Sequence, residues 1–243
     1  MSLSQKIVLY LLLLGICIGI GSYLAISYTI LPAFKAFEVH ESMEAIDRVE
    51  SAIEAEARTL QTLVVEYANW EDTQLYVRGQ KPNYIEYNMA VDYWRENGVD
   101  VMYILDIEGN VLFSLDTREG ADGPPDIHEL FMTPVTPSHP LLDHSGRTSR
   151  VTGVIRTADE PMIVSAAPIV GSLLNVERAG TFIMARRLGG ALLENISLRA
   201  SADTNIYSLT PSGAGGYSET DLRRLSAETG TAWTTNTDHD LIA

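Results

Sequence analysis

From Ile7 to Leu31 the chain reads IVLYLLLLGICIGIGSYLAISYTIL, without one charged side chain. A helix rising about 1.5 Å per residue over that run exceeds a hydrocarbon layer of roughly 30 Å, so the sequence predicts a transmembrane helix at residues 7–31. A secretory signal peptide is the competing reading. Its apolar part would be only about 7 to 15 residues long and would end at a small-x-small site, whereas this run is longer and is followed by Pro32-Ala33-Phe34-Lys35. Lys6 and Lys35 flank the run, so basic residues orient it only weakly. The short tail 1–6 is expected in the cytoplasm, and residues 32–243 outside the inner membrane.

That outer part carries most of the charge. The chain has 17 Lys and Arg against 32 Asp and Glu, a formal net charge of −15. Proteins that neutralise nucleic-acid phosphates need clustered cations, and no basic patch is visible, so nucleic acid is excluded as a partner. Cys17, the sole cysteine, lies inside the apolar run. Disulfides therefore cannot staple the outer part, and thiolate metal sites are ruled out.

Past the span, Phe34 to Tyr76 lacks glycine and proline and places apolar residues at helical spacing. Val39, Ile46, Val49, Ile53, Leu60, Leu63, Tyr67 and Trp70 follow a heptad, with Ser42 and Glu56 as polar exceptions. This predicts a long stalk helix over 34–76. Its partner is either a second copy, giving a homodimer through the stalk, or the domain's own sheet. The acids Glu41, Glu44, Glu50 and Glu54 read as its solvated face.

Tyr84 to Glu96 predicts a shorter helix stopped by Asn97-Gly98. The period then changes. Val101–Leu105 and Val111–Leu115 read as strands of a hairpin turning through Asp106-Ile-Glu-Gly-Asn110. Residues 116–149, rich in proline, read as a long excursion with a short helix near Asp126–Phe131. Strands are expected at 151–157, 162–169, 181–187 and 204–209, and an amphipathic helix at 189–199. The succession predicts an α+β fold with a central antiparallel sheet over 99–243. The last residues, Asp240-Leu-Ile-Ala243, read as the start of a further strand and suggest a truncated product.

Chemistry-bearing residues are few. His128, His139 and His144 lack metal-ligand spacing, and no G-x-S-x-G, P-loop or dinucleotide fingerprint occurs, so no metal, cofactor or catalytic residue is assigned. An anchored hydrolase is the weakest rival. The stretch Tyr67-Ala-Asn-Trp-Glu-Asp-Thr73 is the most unusual. Tyr67 and Trp70 fall on the heptad stripe and read as a structural joint, while Asn69 and Asp72 fall on a second face, free for the sheet or for a ligand. Arg156 can receive a carboxylate from Asp72 or a ligand. Tyr103 is either core or pocket wall.

These residues carry a resemblance. Leu31-Pro-Ala-Phe34 with Glu38, the 67–73 stretch, Asn88, Asp106-x-x-Gly-x-Val111, Gly153-x-x-Arg156-Thr157, Ala166-Ala-Pro-Ile169, Gly180-Thr-x-Ile183 and Arg186-Arg-Leu188 resemble the fourth type of CHASE domain. That is an extracytoplasmic sensory module of bacterial and archaeal receptors, related to the Cache (PAS-like) fold. Glu71 and Gln74 depart from the family's usual Asp and aromatic. The resemblance implies a domain held between two membrane helices and a cytoplasmic output module, a diguanylate cyclase, phosphodiesterase or histidine kinase. It implies an unknown small extracellular ligand, for which Asn69, Trp70, Asp72, Asn88, Tyr103 and Arg156 are the candidate contacts. The alternative is a membrane-tethered protein-interaction module without a small ligand.

Overall fold

The computed structural model describes residues 3–201, except 122, 124–125, 132–133, 145, 158–159 and 172–176, together with Thr204 and Leu241–Ile242. Apart from Thr204, the strand expected at 204–209 lies outside them. The chain divides into two compact units, Met1–Arg48 and Val49–Ala243.

In the first unit, α1 (Leu3–Ala25) runs into a π-helical turn at Ile26–Ile30, and α2 (Leu31–Ala68) begins there. Leu31 N–H bonds to the Ile26 carbonyl, five residues back. Pro32 explains the wide turn: its ring would crowd the carbonyl four residues earlier and it has no N–H to give, and the extra residue opens the ladder there. Leu3–Phe34 is long and apolar enough to cross a membrane, and none of its most apolar window is covered by protein.

The second unit holds the sheet. Strands β1 (Val101–Asp106), β2 (Val111–Asp116), β3 (Val151–Ile155), β4 (Met162–Ile169), β5 (Gly180–Arg187) and β6 (Leu241–Ile242) lie in the order β2-β1-β5-β4-β3-β6. Every neighbouring pair is antiparallel. The α+β expectation with an antiparallel sheet holds. Strand alternation sends Met102 and Ile104 of β1, Ile163 and Ala167 of β4, and Phe182 and Met184 of β5 to one face, against Ile53, Leu60, Val64 and Tyr67 of α2. Tyr103, Leu105, Val164, Ala166 and Ile183 point the other way, under Ile127, Leu130, Phe131, Leu141 and Leu142 of the long excursion. Because both faces are covered, β1, β4 and β5 are buried along nearly their whole length and lack polar alternation.

Two predicted helices are broken. The stalk helix stops at Ala68 and restarts as α3 (Glu71–Val77), and the expected 84–96 helix is split into α4 (Tyr84–Asn88) and α5 (Val91–Glu96). Both breaks seat tryptophans. Trp70 sits in an extended conformation (φ −69°, ψ 136°), and Trp94, with no exposed surface, donates its indole N–H to the Asn88 carbonyl at 3.1 Å. A buried Trp is worth about 3–5 kcal/mol on truncation, more than a turn of helix propensity.

The hairpin turn is held by Asp106, whose carboxylate accepts from Glu108 N–H at 3.0 Å, Asn110 N–H at 2.8 Å and Asn110 Nδ2 at 2.8 Å. Gly180 pairs with Asp106 across the sheet, and a Cβ on it would run into the Leu105 carbonyl. The remaining helices are α6 (Ile127–Leu130), capped by the Asp126 side chain, and α7 (Gly190–Ala200).

Candidate functional site

Where α2 ends, four aromatic rings close around the turn. The Tyr67 ring lies 4.2 Å from Trp70 and 4.6 Å, edge-on, from Trp94, which meets Tyr93 at 5.2 Å. Thr73 ties the turn down by donating its hydroxyl proton to the Tyr67 carbonyl at 2.6 Å. Its oxygen then accepts from the Tyr84 hydroxyl at 2.8 Å, since the threonine has no second proton to give. Burial, only partly offset by the Thr73 bond, pushes the Tyr84 phenol up to about 12. Burial first, and the Tyr93 hydroxyl next, push the Tyr67 phenol still further up. Both hydroxyls thus stay protonated and available as donors.

The structure separates the candidate residues. Trp70 belongs to this aromatic joint, with Tyr67. Asp72 stands in the first turn of α3 and pairs with Lys81 at 2.5 Å, with its own side chain 44% exposed. Arg156 is therefore not its partner; the Arg156 Nε, at the end of β3, is buried without a hydrogen-bond partner among the described residues. Asn88 bonds to the Tyr84 carbonyl through its side chain and receives Trp94 through its backbone. Tyr103 lies on the opposite sheet face, 6.3 Å from Phe131, its phenol pushed up chiefly by burial. The sheet lies between Tyr103 and the Tyr67–Trp70 joint, so these residues do not line one pocket.

Of the six, Asn69 is the one that lines the cleft at the end of α2. This cavity of about 420 Å³ is bounded by Val65 and Asn69 of the α2 end, Ala167 and Pro168 of β4, Val170 and Gly171 beyond it, and residues 147–150 ahead of β3. Its size is that of small-ligand pockets, which span roughly 300–1,000 Å³. Its wall is fastened to the helices. Val170 N–H bonds to the Ala68 carbonyl at 3.3 Å, and Gln74 Nε2 donates to the Val170 carbonyl at 3.2 Å. Gly171 has φ +63°, and a Cβ on it would strike the Gln74 amide. Gln74, noted in the sequence only as a departure, is thus a brace between α3 and this wall.

Further along α2, Glu56, one of the polar exceptions in the heptad, and Gln61 find partners on the sheet and on α7. Glu56, 15% exposed, meets Arg186 of β5 at 2.6 Å and Arg199 of α7 at 2.6 Å. Gln61 donates to Thr152 of β3 at 2.8 Å, and Thr152 shares a hydrogen bond with the buried Ser165 of β4 at 2.8 Å. Heptad arithmetic could flag Glu56 as anomalous but could not find arginines 130 and 143 residues away in sequence.

The three histidines of the excursion have separate roles. His128 Nδ1 accepts from Val135 N–H at 2.8 Å and His139 Nδ1 from Leu141 N–H at 3.2 Å. Both ring nitrogens of His144 are buried without a hydrogen-bond partner among the described residues. Burial, then the nearby Arg178 charge, pushes His144 down to about 4, so the ring is neutral at pH 7.

The chain is similar to several known proteins. The methanogenesis regulatory histidine kinase FilI of Methanothrix harundinacea (strain 6Ac) is 26% identical over 204 residues, covering 82% of this chain and 22% of the relative. The chain thus spans about a fifth of that relative's length. Among solved structures, the sensor domain of the V. cholerae histidine kinase DctB is 15% identical with a TM-score of 0.48, over 68% of this chain and 60% of that one. The periplasmic domain of Vibrio cholerae LuxQ is 12% identical with a TM-score of 0.40, over 70% and 74%. Residues 52–207 match the CHASE4 domain, well over half of the chain, and the protein therefore belongs to the CHASE4 domain family of sensory, non-catalytic domains.

Proposed function

We propose that this chain is the extracytoplasmic, ligand-sensing part of an inner-membrane receptor, anchored through residues 7–31, which passes its signal to a cytoplasmic histidine kinase. The observation that carries the reading is the fastening of α2 to the sheet and to the cleft wall through Glu56, Gln61 and the Ala68 carbonyl. A ligand seated beside Asn69 that prefers one position of Val170–Gly171 must prefer one position of the α2 end. Equal affinity for both positions would transmit nothing. The name of the FilI relative favours a kinase over a cyclase or phosphodiesterase as output. Of the six candidate contacts, Asn69 is the one we retain in the cleft. Trp70, Asp72 and Asn88 act as its supports; Tyr103 and Arg156 lie apart from it.

A homodimer through the stalk is part of the proposal. Phe34, Phe37 and Met43 are exposed in the first unit and continue the apolar character of the segment. Replacing Cys17 with Ser and Phe37 with Cys in membranes is expected to give a disulfide-linked dimer on oxidation.

The sensory reading is tested on the full chain in nanodiscs, by a thermal-shift screen of small metabolites followed by spin labels at Glu54 and Glu108. A stabilising compound is expected to change the distance between the labels. Compounds that stabilise the chain yet leave that distance unchanged refute the coupling. A screen with no stabilising compound, beside a captured partner protein, favours the interaction-module alternative.

A further inference from the structure

We infer that Asn195 is a glycosylation site, its side-chain amide carrying a sugar chain on the outer side of the membrane. The site requires the extracytoplasmic placement proposed above and so rests on that reading. Of the chain's asparagines, Asn195 alone is followed by a residue other than proline and then by a serine or threonine, in Asn195-Ile196-Ser197. That triplet is the acceptor pattern for N-linked sugars in exported segments. The reaction is a substitution at the anomeric carbon of a lipid-linked sugar phosphate supplied by the cell. The bond from that carbon to the phosphate oxygen breaks and a bond to Asn195 Nδ2 forms. The lipid phosphate departs with the electron pair and the amide nitrogen gives up one proton; nothing is oxidised or reduced.

The fold leaves room for the modification. In α7, Leu192, Ile196 and Ala200 are buried, and the first two belong to the core that α2 forms with the sheet. Asn195 stands exposed beside that stripe, and its side chain makes no hydrogen bond or ion pair among the described residues. Leu198, three residues on and a neighbour on the helix surface, is 71% exposed, so a sugar at Asn195 stands next to apolar surface that it can shield from water. Helix geometry also sets the moment of transfer. Residues two apart on a helix do not face each other, so the Asn195 amide and the Ser197 hydroxyl, which the acceptor pattern brings together, diverge once α7 has formed. In the fold the Ser197 oxygen instead accepts from Thr204 N–H at 3.2 Å. Transfer must therefore precede the docking of α7, on the chain as it is exported.

The test is mass spectrometry of the full chain isolated from the membranes of its native cells. Trypsin cuts after Arg187 and after Arg199 and releases residues 188–199 as one peptide, which is expected to carry the added mass of a sugar chain. Asn195→Gln and Ser197→Ala should each abolish the addition, whereas Ser197→Thr, which keeps the hydroxyl, should retain it. Recovery of the peptide only at its unmodified mass overturns the site, and so does added mass that survives Asn195→Gln. To separate that failure from a failure of the outer location, Asn195→Cys in a Cys17→Ser background is treated on intact cells with a membrane-impermeant maleimide. Labelling beside an unmodified wild-type peptide removes the sugar and leaves the sensory reading standing. Labelling only after lysis removes both.

Discussion

Glu56 offers the sharpest test of how α2 is held. At about 4 Å and an effective dielectric of about 20, each ion pair carries roughly 4 kcal/mol of attraction, most of it offset by desolvation of the charges. Removing one partner of a well-buried pair costs about 3–5 kcal/mol, and of an exposed pair about 0.2–1 kcal/mol. Glu56 is 15% exposed and Arg186 27%, near the buried limit, whereas Arg199 at 51% is near the surface one. Glu56→Gln is therefore expected to cost about 2–4 kcal/mol, a fall in Tm of roughly 5–12 °C for a unit of this size. The assay is denaturant unfolding of the full chain, with Arg186→Met and the double variant completing a thermodynamic cycle. The coupling should exceed about 1 kcal/mol, and the double variant should be more stable than Glu56→Gln alone, because the more buried arginine is then no longer stranded and only the half-exposed Arg199 is left unpaired. Glu56→Leu separates the two views of the stalk: in a coiled-coil seam the leucine would stabilise, whereas against two arginines it must destabilise. A stabilising leucine, or strict additivity in the cycle, would refute the clamp.

Thr73→Val keeps the shape of the side chain but leaves the Tyr67 carbonyl and the Tyr84 hydroxyl without their partner, and is expected to cost about 1–3 kcal/mol in chemical unfolding. The Asp106 carboxyl is pulled in two directions: burial raises its pKa, and the bonds from Asn110 and Glu108 more than offset this, leaving it below the usual carboxylate range. Its contribution is present above the unfolded pKa of about 3.9 and is lost as pH falls through the lower folded value. The stability gap between wild type and Asp106→Ala should therefore close in acid. His144 behaves in the opposite compartment of the pH scale: neutral in the fold down to about 4 and titrating at 6.5 when unfolded, it contributes a loss of stability that begins as pH falls through 6.5 and is complete below about 4. His144→Phe should flatten that part of the stability profile, and an unchanged acid limb would show that other groups cause it.

The sheet was legible because its strands obey simple rules. Runs such as Met162–Ile169 are short, apolar and bounded by turn residues, and Asp106 with Gly109 and Asn110 marks the hairpin. The helix ends were not legible, because tertiary packing decided them. Nothing local in Tyr67–Tyr76 opposes a continuous helix; the break exists because Trp70 gains more by lying on Tyr67 than one further turn would supply. The cleft was half legible. Asn69 stands in the stretch the sequence singled out, but Arg147 and Arg150 lie in a loop whose spacing carries no signal, and reach Asn69 only through the pairing of β3 with β4.

Asp72 shows why composition misleads at such a site. A carboxylate next to an indole suggests a buried charge in need of a partner, yet α3 turns Asp72 toward Lys81 and water, where the pair is worth about 1 kcal/mol at most. The energetically costly groups are the ones whose partners lie far away in sequence, namely Glu56 under its two arginines and Gln74 against Gly171. Glu56 joins α2 to β5 and α7, and Gln74 joins α3 to the segment just after β4. Substituting Gln74 by Leu, which keeps the volume and removes both hydrogen-bonding ends, should therefore loosen Val170–Gly171 and weaken transmission from the cleft to α2 more than Asp72→Asn does. Distances from spin labels at Glu54 and Glu108 would show it, and an equal effect of the two substitutions would place the joint elsewhere.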